Sequence, residues 1–155
     1  MKNQINLKQD YSKQVIDKLN TYLSNVQIAY QNTRGYHWNI VGRKFFVLHQ
    51  KYEEWYDQLN DMADEIAERI LMLGGTPVHT YSKYIQLATI KEKENISSCE
   101  ATIKEVISEI LTLLDQEREI ISFASENGDD GTVDMLTGYI SAQEKLIWMY
   151  NAMIK

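Results

Sequence analysis

The stretch that decides the fold is His37–Arg69, HWNIVGRKFFVLHQKYEEWYDQLNDMADEIAER. It reads as the end of one helix, a tight reversal at Asn39–Arg43 and a second long helix. From Arg43 to Leu73 there is one continuous run of mostly good helix formers with no proline and no glycine after Gly42, which favours a single helix. At about 100° per residue, Glu53 lies roughly 40° round that helix from His49 and one turn further on. Asp64 and Glu68 form a second pair with the same offset. Eleven residues separate Glu53 from Asp64, close to three full turns, so all four side chains share one face. A rise of ~1.5 Å per residue sets Glu53 and Asp64 about 16 Å apart along the axis. No single metal ion spans that gap.

If this face binds metal, each pair is half of a site. The cheapest source of the other half is a second copy of the helix, antiparallel about a two-fold axis near Gln58–Leu59. That operation sets His49 and Glu53 of one copy opposite Asp64 and Glu68 of the other, and does so twice, because a two-fold contact is isologous. His37 precedes His49 across the reversal and can fold back beside it. Each of the two sites would then hold two imidazoles and three carboxylates, a set suited to Fe(II), Mn(II) or Zn(II) rather than Cu(I). The bland alternatives are a solvated acidic face and structural histidines. They leave the shared geometry of the histidines unexplained.

At 155 residues the chain fits one domain, residues 1–155, with a flexible tail expected at residues 1–10. Its formal charge of −6 argues against a broad basic surface for nucleic acid. The single cysteine, Cys99, excludes an internal disulfide framework and any CxxC motif. No apolar run is long enough for a membrane span and no signal peptide is visible, so the expected location is the cytoplasm.

A first helix is expected from about Tyr11 to His37, with Val15, Leu19, Leu23, Val26 and Tyr30 as its apolar stripe. Gly74-Gly75-Thr76-Pro77 stops the second helix. A long connection follows, with a short helix at Tyr81–Leu87. Ser97 and Ser98 are N-cap candidates for a third long helix ending near Glu126, and Asn127-Gly128 separates it from a last helix beginning at Asp129 or Asp130. On that last helix Tyr139, Ala142, Leu146, Met149 and Met153 read as one stripe. The fold class is therefore all-α: a four-helix bundle with a long crossover connection that contains a short helix.

Di-iron sites inside helix bundles use a Glu-x-x-His pair. Here Arg34, Phe46 and Thr76 stand three residues before the three histidines, so a centre of that type is not expected. Instead H37-W38-x3-G42-x2-F45-x2-L48-H49, D64-x2-A67-E68-R69, G74-G75 and I147-W148-M149 resemble the Dps family of mini-ferritins, over nearly the whole chain. That resemblance implies a ferritin-like fold and a hollow homo-dodecamer of tetrahedral symmetry. It implies ferroxidase sites at two-fold interfaces that oxidise Fe(II) with hydrogen peroxide or dioxygen, and a stored ferric mineral. Carried over, it makes His37, His49 and Glu53 ligands from one subunit and Asp64 and Glu68 ligands from another.

Glu53 stands where the family generally has Asp, which opens the site to competition from Zn or Mn. Trp38 matches an aromatic beside the site that can donate an electron. Asp130 and Asp134 match acids lining a three-fold channel through which iron enters. Members that bind DNA carry a lysine-rich tail, whereas this N-terminus offers Lys2 and Lys8, so weak or absent DNA binding is expected. The alternative reading is a nucleoid-associated, DNA-protecting protein with secondary iron chemistry.

Overall fold

The structure is a computed structural model and describes residues 1–154. Five helices follow in order: α1 (Gln9–Asn39), α2 (Phe45–Met72), α3 (Tyr81–Leu87), α4 (Cys99–Glu126) and α5 (Asp130–Ile154). α1 packs against α2 and α4, α4 packs against α5, and the short α3 lies against α1. This is the expected all-α bundle. The crossover from α2 to α4 carries α3 with the boundaries its sequence suggested.

The reversal between α1 and α2 is held from two sides. Val41 N–H donates to the Ser97 carbonyl at 2.9 Å, tying the loop to the start of α4. Gly42 has φ +129°, and a Cβ there would meet Cys99 Sγ at 2.9 Å, so both the backbone conformation and the close approach require glycine. The other end of α2 closes with a Schellman pair. Gly75 N–H donates to the Ile70 carbonyl at 2.9 Å and Gly74 N–H to Leu71 at 3.0 Å, with Gly74 at φ +91°. Ser98 caps α4, its hydroxyl accepting from Ala101 N–H at 3.2 Å.

Residues 1–8, expected as part of a loose tail, lie against the end of α2. Asn3 Nδ2 donates to the Leu73 carbonyl and Gln4 Nε2 to Met72, supplying partners to carbonyls that the helix leaves free. Gln9 and Asp10 already belong to α1.

The α1 stripe is buried as expected from Val15 to Val26. The α5 stripe is corrected. Ala142 and Met149 are exposed, and the buried face carries Thr132, Leu136, Gln143 and Tyr150. Two of those four are polar, which hid the face from an apolar pattern. Gln143 Nε2 donates to Glu117, and Thr132 Oγ1 donates to Asp129.

The core therefore contains charge chemistry. Glu117 on α4 accepts from Tyr22 of α1 and Gln143 of α5, and Glu109, one register higher on α4, accepts from Asn32 and Tyr36 of α1. Burial pushes Glu109 up to about 8 and Glu117 up to about 7, against the hydrogen bonds that pull both down. Arg69 at the end of α2 pairs with the buried Asp129, which also accepts from Tyr11 and Thr132.

Candidate metal centre

His37 occupies the last turn of α1 and His49 the second turn of α2. The reversal at Gly42 brings their rings into a stack, with centroids 3.7 Å apart and planes 15° apart. Each imidazole is also bound to the other residue's backbone. His37 Nδ1 lies 2.6 Å from the His49 carbonyl, and His49 Nδ1 lies 2.8 Å from the His37 carbonyl. A carbonyl only accepts, so both Nδ1 atoms donate, and in the neutral rings the lone pair falls on Nε2. Metal-bound histidines are commonly oriented in this way, through the nitrogen that does not touch the metal. The His37 carbonyl sits in the final turn of α1, where no helical partner is available, so the lock also resolves a helix end.

Packing fixes the rings further. Phe45 stacks on His49 at 5.0 Å, and Tyr56 meets His37 edge-on at 5.4 Å. His37 is buried and His49 is half-buried. Glu53, one turn beyond His49, is exposed, as are Asp64 and Glu68 near the other end of α2. The structure thus brings His37 and His49 together, with Glu53 next on the same face, and leaves Asp64 and Glu68 about three turns away. Among the described residues, no group of three or more His, Cys, Asp or Glu side chains within the chain is placed to hold a metal ion. Two imidazoles and a carboxylate thus lie at one end of α2, and two carboxylates at the other.

The remaining sequence candidates fall elsewhere. Trp38 is 57% exposed, with its ring 4.7 Å from the Arg34 guanidinium. Asp130 and Asp134 are exposed at the start of α5. Their neighbour Asp129 is buried. Burial alone would raise its pKa, but hydrogen bonds from Thr132 and Tyr11 and the Arg69 charge outweigh that and lower it. No helix among the described residues is long and apolar enough to cross a membrane.

Sequence reasoning placed Tyr30 only in the apolar stripe of α1 and gave Tyr56 no place; the structure sets Tyr56 against the His37 ring and Tyr30 against Tyr56. Tyr56 sits three residues after Glu53 and Tyr30 seven before His37, so helical period alone places both on the faces that carry the site.

A bundle with one crossover and a histidine–carboxylate face defines a ferritin-like protein, and the ferritin-like domain family matches residues 16–155. A Haemophilus influenzae protein is 46% identical over 151 residues, covering 97% of this chain and 94% of that one. The "DNA protection during starvation protein" of Porphyromonas gingivalis is 43% identical over 146 residues, covering 94% and 92%. The crystal structure of the Dps protein from Vibrio cholerae O1, described as a member of a broad superfamily of ferritin-like diiron-carboxylate proteins, superposes with a TM-score of 0.97 at 44% identity. It covers 99% of this chain and 97% of its own. Dps from Staphylococcus aureus superposes with a TM-score of 0.89 at 31% identity, covering 100% and 99%. The chain belongs to the Dps family of ferritin-like proteins.

Proposed function

We propose that this chain is an iron-storage and detoxification protein whose assembly oxidises Fe(II), with hydrogen peroxide as an oxidant, at sites shared by two copies. The observation that carries the reading is the reciprocal lock of His37 and His49, which leaves two Nε2 lone pairs beside Glu53. Asp64 and Glu68 of a second copy complete the set under the two-fold operation that α2 suggests. Fe(II) is the substrate. Imidazoles hold the ferrous ion, and three carboxylates stabilise the harder ferric product. Keeping peroxide reduction at a bound site limits release of hydroxyl radical. Twelve copies in a hollow shell would store the ferric product, with Asp130 and Asp134 at the channels that admit iron. The donor set also accepts Zn(II) or Mn(II), and Glu53 bears on that choice because its extra methylene moves the carboxylate by about a bond length.

The test is anaerobic Fe(II) oxidation by the purified assembly after a stoichiometric addition of peroxide, beside a His37→Ala/His49→Ala control. Fast ferric formation that the control lacks supports the reading. Equal rates in both count against it. The name of the P. gingivalis relative favours a second reading, DNA protection by direct binding. The charge of −6 opposes it, as does an N-terminal segment that lies against α2. Gel retardation at low salt separates the two, since binding through phosphates weakens steeply as salt rises.

A further inference from the structure

The stretch Lys91–Lys93 of the crossover is fastened to α1 by one amide side chain. Asn32 Oδ1 accepts from Lys93 N–H at 3.0 Å, and its Nδ2 donates to the Lys91 carbonyl at 2.9 Å and to Glu109 Oε1 at 2.8 Å. One side chain therefore touches both the Lys93 backbone and the buried carboxyl of Glu109. One turn earlier on α4, Glu105 holds the Lys93 ammonium at 2.9 Å, in a pair whose side chains are 34% and 29% exposed. Lys93 is thus fixed by its backbone beside one acid and by its ammonium on another. Glu109 Oε2 is buried with no partner. Once ionised, an oxygen in that position needs a cation.

The phenols around Glu109 stay neutral. Tyr36 of α1 donates to Oε1 at 2.9 Å, Tyr52 of α2 lies behind the Tyr36 ring, and Tyr150 of α5 lies behind Tyr52. Burial holds all three above the ordinary range for a tyrosine. The Lys91 ammonium is turned away, to the Ala88 carbonyl. After burial, the largest influence on Glu109, the charges that bear on it are Glu105 and Lys93, with opposite signs. The Lys93 ammonium in turn is stabilised first by its bond to Glu105 and also by the charge of Glu109.

We propose that Lys93 is an exchangeable counter-ion, paired with Glu105 while Glu109 keeps its proton and drawn inward to Glu109 Oε2 when that proton leaves for solvent. The ammonium stays charged throughout, and Glu105 is left to water. The exchange needs no new backbone contact, because Asn32 already holds the Lys93 backbone beside Glu109. With the Glu109 carboxyl pushed up to about 8, the outer pairing belongs to neutral and acid solution and the inner one to the alkaline side. The consequence falls on a groove of about 350 Å³, where Glu92, Lys93 and Glu94 form one rim and Tyr81 and Tyr84 of α3 another. Turning Lys93 inward takes a positive charge off that rim and leaves Glu92 and Glu94, so the groove becomes more acidic as pH rises.

The experiment uses the intact assembly without iron, so its outcome is independent of the ferroxidase reading. Infrared difference spectra across a pH series follow the stretch of protonated carboxyl groups, and Glu109→Gln identifies the share that belongs to Glu109. Lys93→Met should raise the midpoint at which that band is lost by about one pH unit or more. Glu105→Gln releases Lys93 and removes a like charge, so it should lower the midpoint. In the same series, acylation of the Lys93 amine is read by mass spectrometry against Lys104, whose surface pair with Glu100 serves as the reference. That ratio should fall several-fold through the midpoint in the unaltered protein and stay level in Glu109→Gln. A midpoint that Lys93→Met leaves in place, or that Glu105→Gln raises, overturns the proposal. So does a labelling ratio that follows the same course in both proteins, or absence of a Glu109 band at pH 6.

Discussion

Glu109→Gln should make the protein more stable as pH rises. Glu109 is 4% exposed, and its Oε1 accepts from Asn32 at 2.8 Å and from the Tyr36 hydroxyl at 2.9 Å. Its Oε2 is buried with no partner. Desolvation is the largest influence and, aided by the Glu105 charge, carries the carboxyl from an ordinary 4.5 up to about 8, against Asn32, Tyr36 and Lys93. Between those two values the folded protein holds a proton that the unfolded chain has released. Stability contributed by the neutral acid is therefore complete below about pH 4.5 and drains away as pH climbs toward 8. At ~1.4 kcal/mol per pH unit, the loss has a ceiling on the order of 5 kcal/mol. Glutamine keeps the Oε1 acceptor for both donors and has no proton to lose. Thermal unfolding of the intact assembly at pH 5, 6.5 and 8, at one fixed protein concentration, should show little difference at pH 5. The gap in favour of the variant should widen to several degrees at pH 8. Parallel pH profiles for the two proteins would refute the argument. Because Tyr36 precedes His37, the same network also anchors the end of α1 that presents the candidate ligand.

Three further expectations follow from single contacts. Arg69→Ala strands the Asp129 carboxylate, itself 1% exposed, and should cost about 3–5 kcal/mol, against less than ~1 kcal/mol for Lys93→Ala at the half-exposed Lys93–Glu105 pair; thermal unfolding of the two variants reads the contrast. Gly42→Ala should destabilise by about 1–3 kcal/mol and slow ferric formation, since φ +129° is strained for alanine and the new Cβ meets Cys99 Sγ. Adding Cys99→Ala should recover part of that loss, because it removes the clash and leaves the strain. Glu53→Asp lies on an exposed position and should change stability by less than ~0.5 kcal/mol, while titrations of Fe(II) against Zn(II) shift the balance between the two metals.

Much of this architecture was legible in the sequence because its punctuation is local. Gly74-Gly75 and Ser98 act through backbone bonds within a few residues, so the ends of α2 and α4 could be read directly. The spread of Glu53 and Asp64 along α2 needed only the helical rise, and that alone pointed to a second copy. Glu109 and Glu117 were missed because an acid in an amphipathic helix reads as solvated. Glu117 nevertheless continues the Ile103, Val106, Ile110, Leu113 register of α4, which is the signal that could have placed it inside. The exchange of ring nitrogens and carbonyls between His37 and His49 depends on backbone orientation at the Gly42 reversal, which spacing does not encode. The buried face of α5 was misplaced for a related reason. Gln143 and Thr132 are core residues only because Glu117 and Asp129 are there to pair with them.

The most direct test of the shared site mixes two defective chains. His49→Ala and Asp64→Ala are each purified, shown to oxidise Fe(II) slowly with peroxide, then dissociated, combined in equal amounts and reassembled, with co-purification of both chains as the check on mixing. A two-fold dimer of one chain of each kind has one site with both defects and one intact site, so random mixing should restore about one quarter of the sites. Recovery of fast ferric formation near that fraction is the expected result. Co-assembly of both chains with no recovery would contradict a site built from two copies.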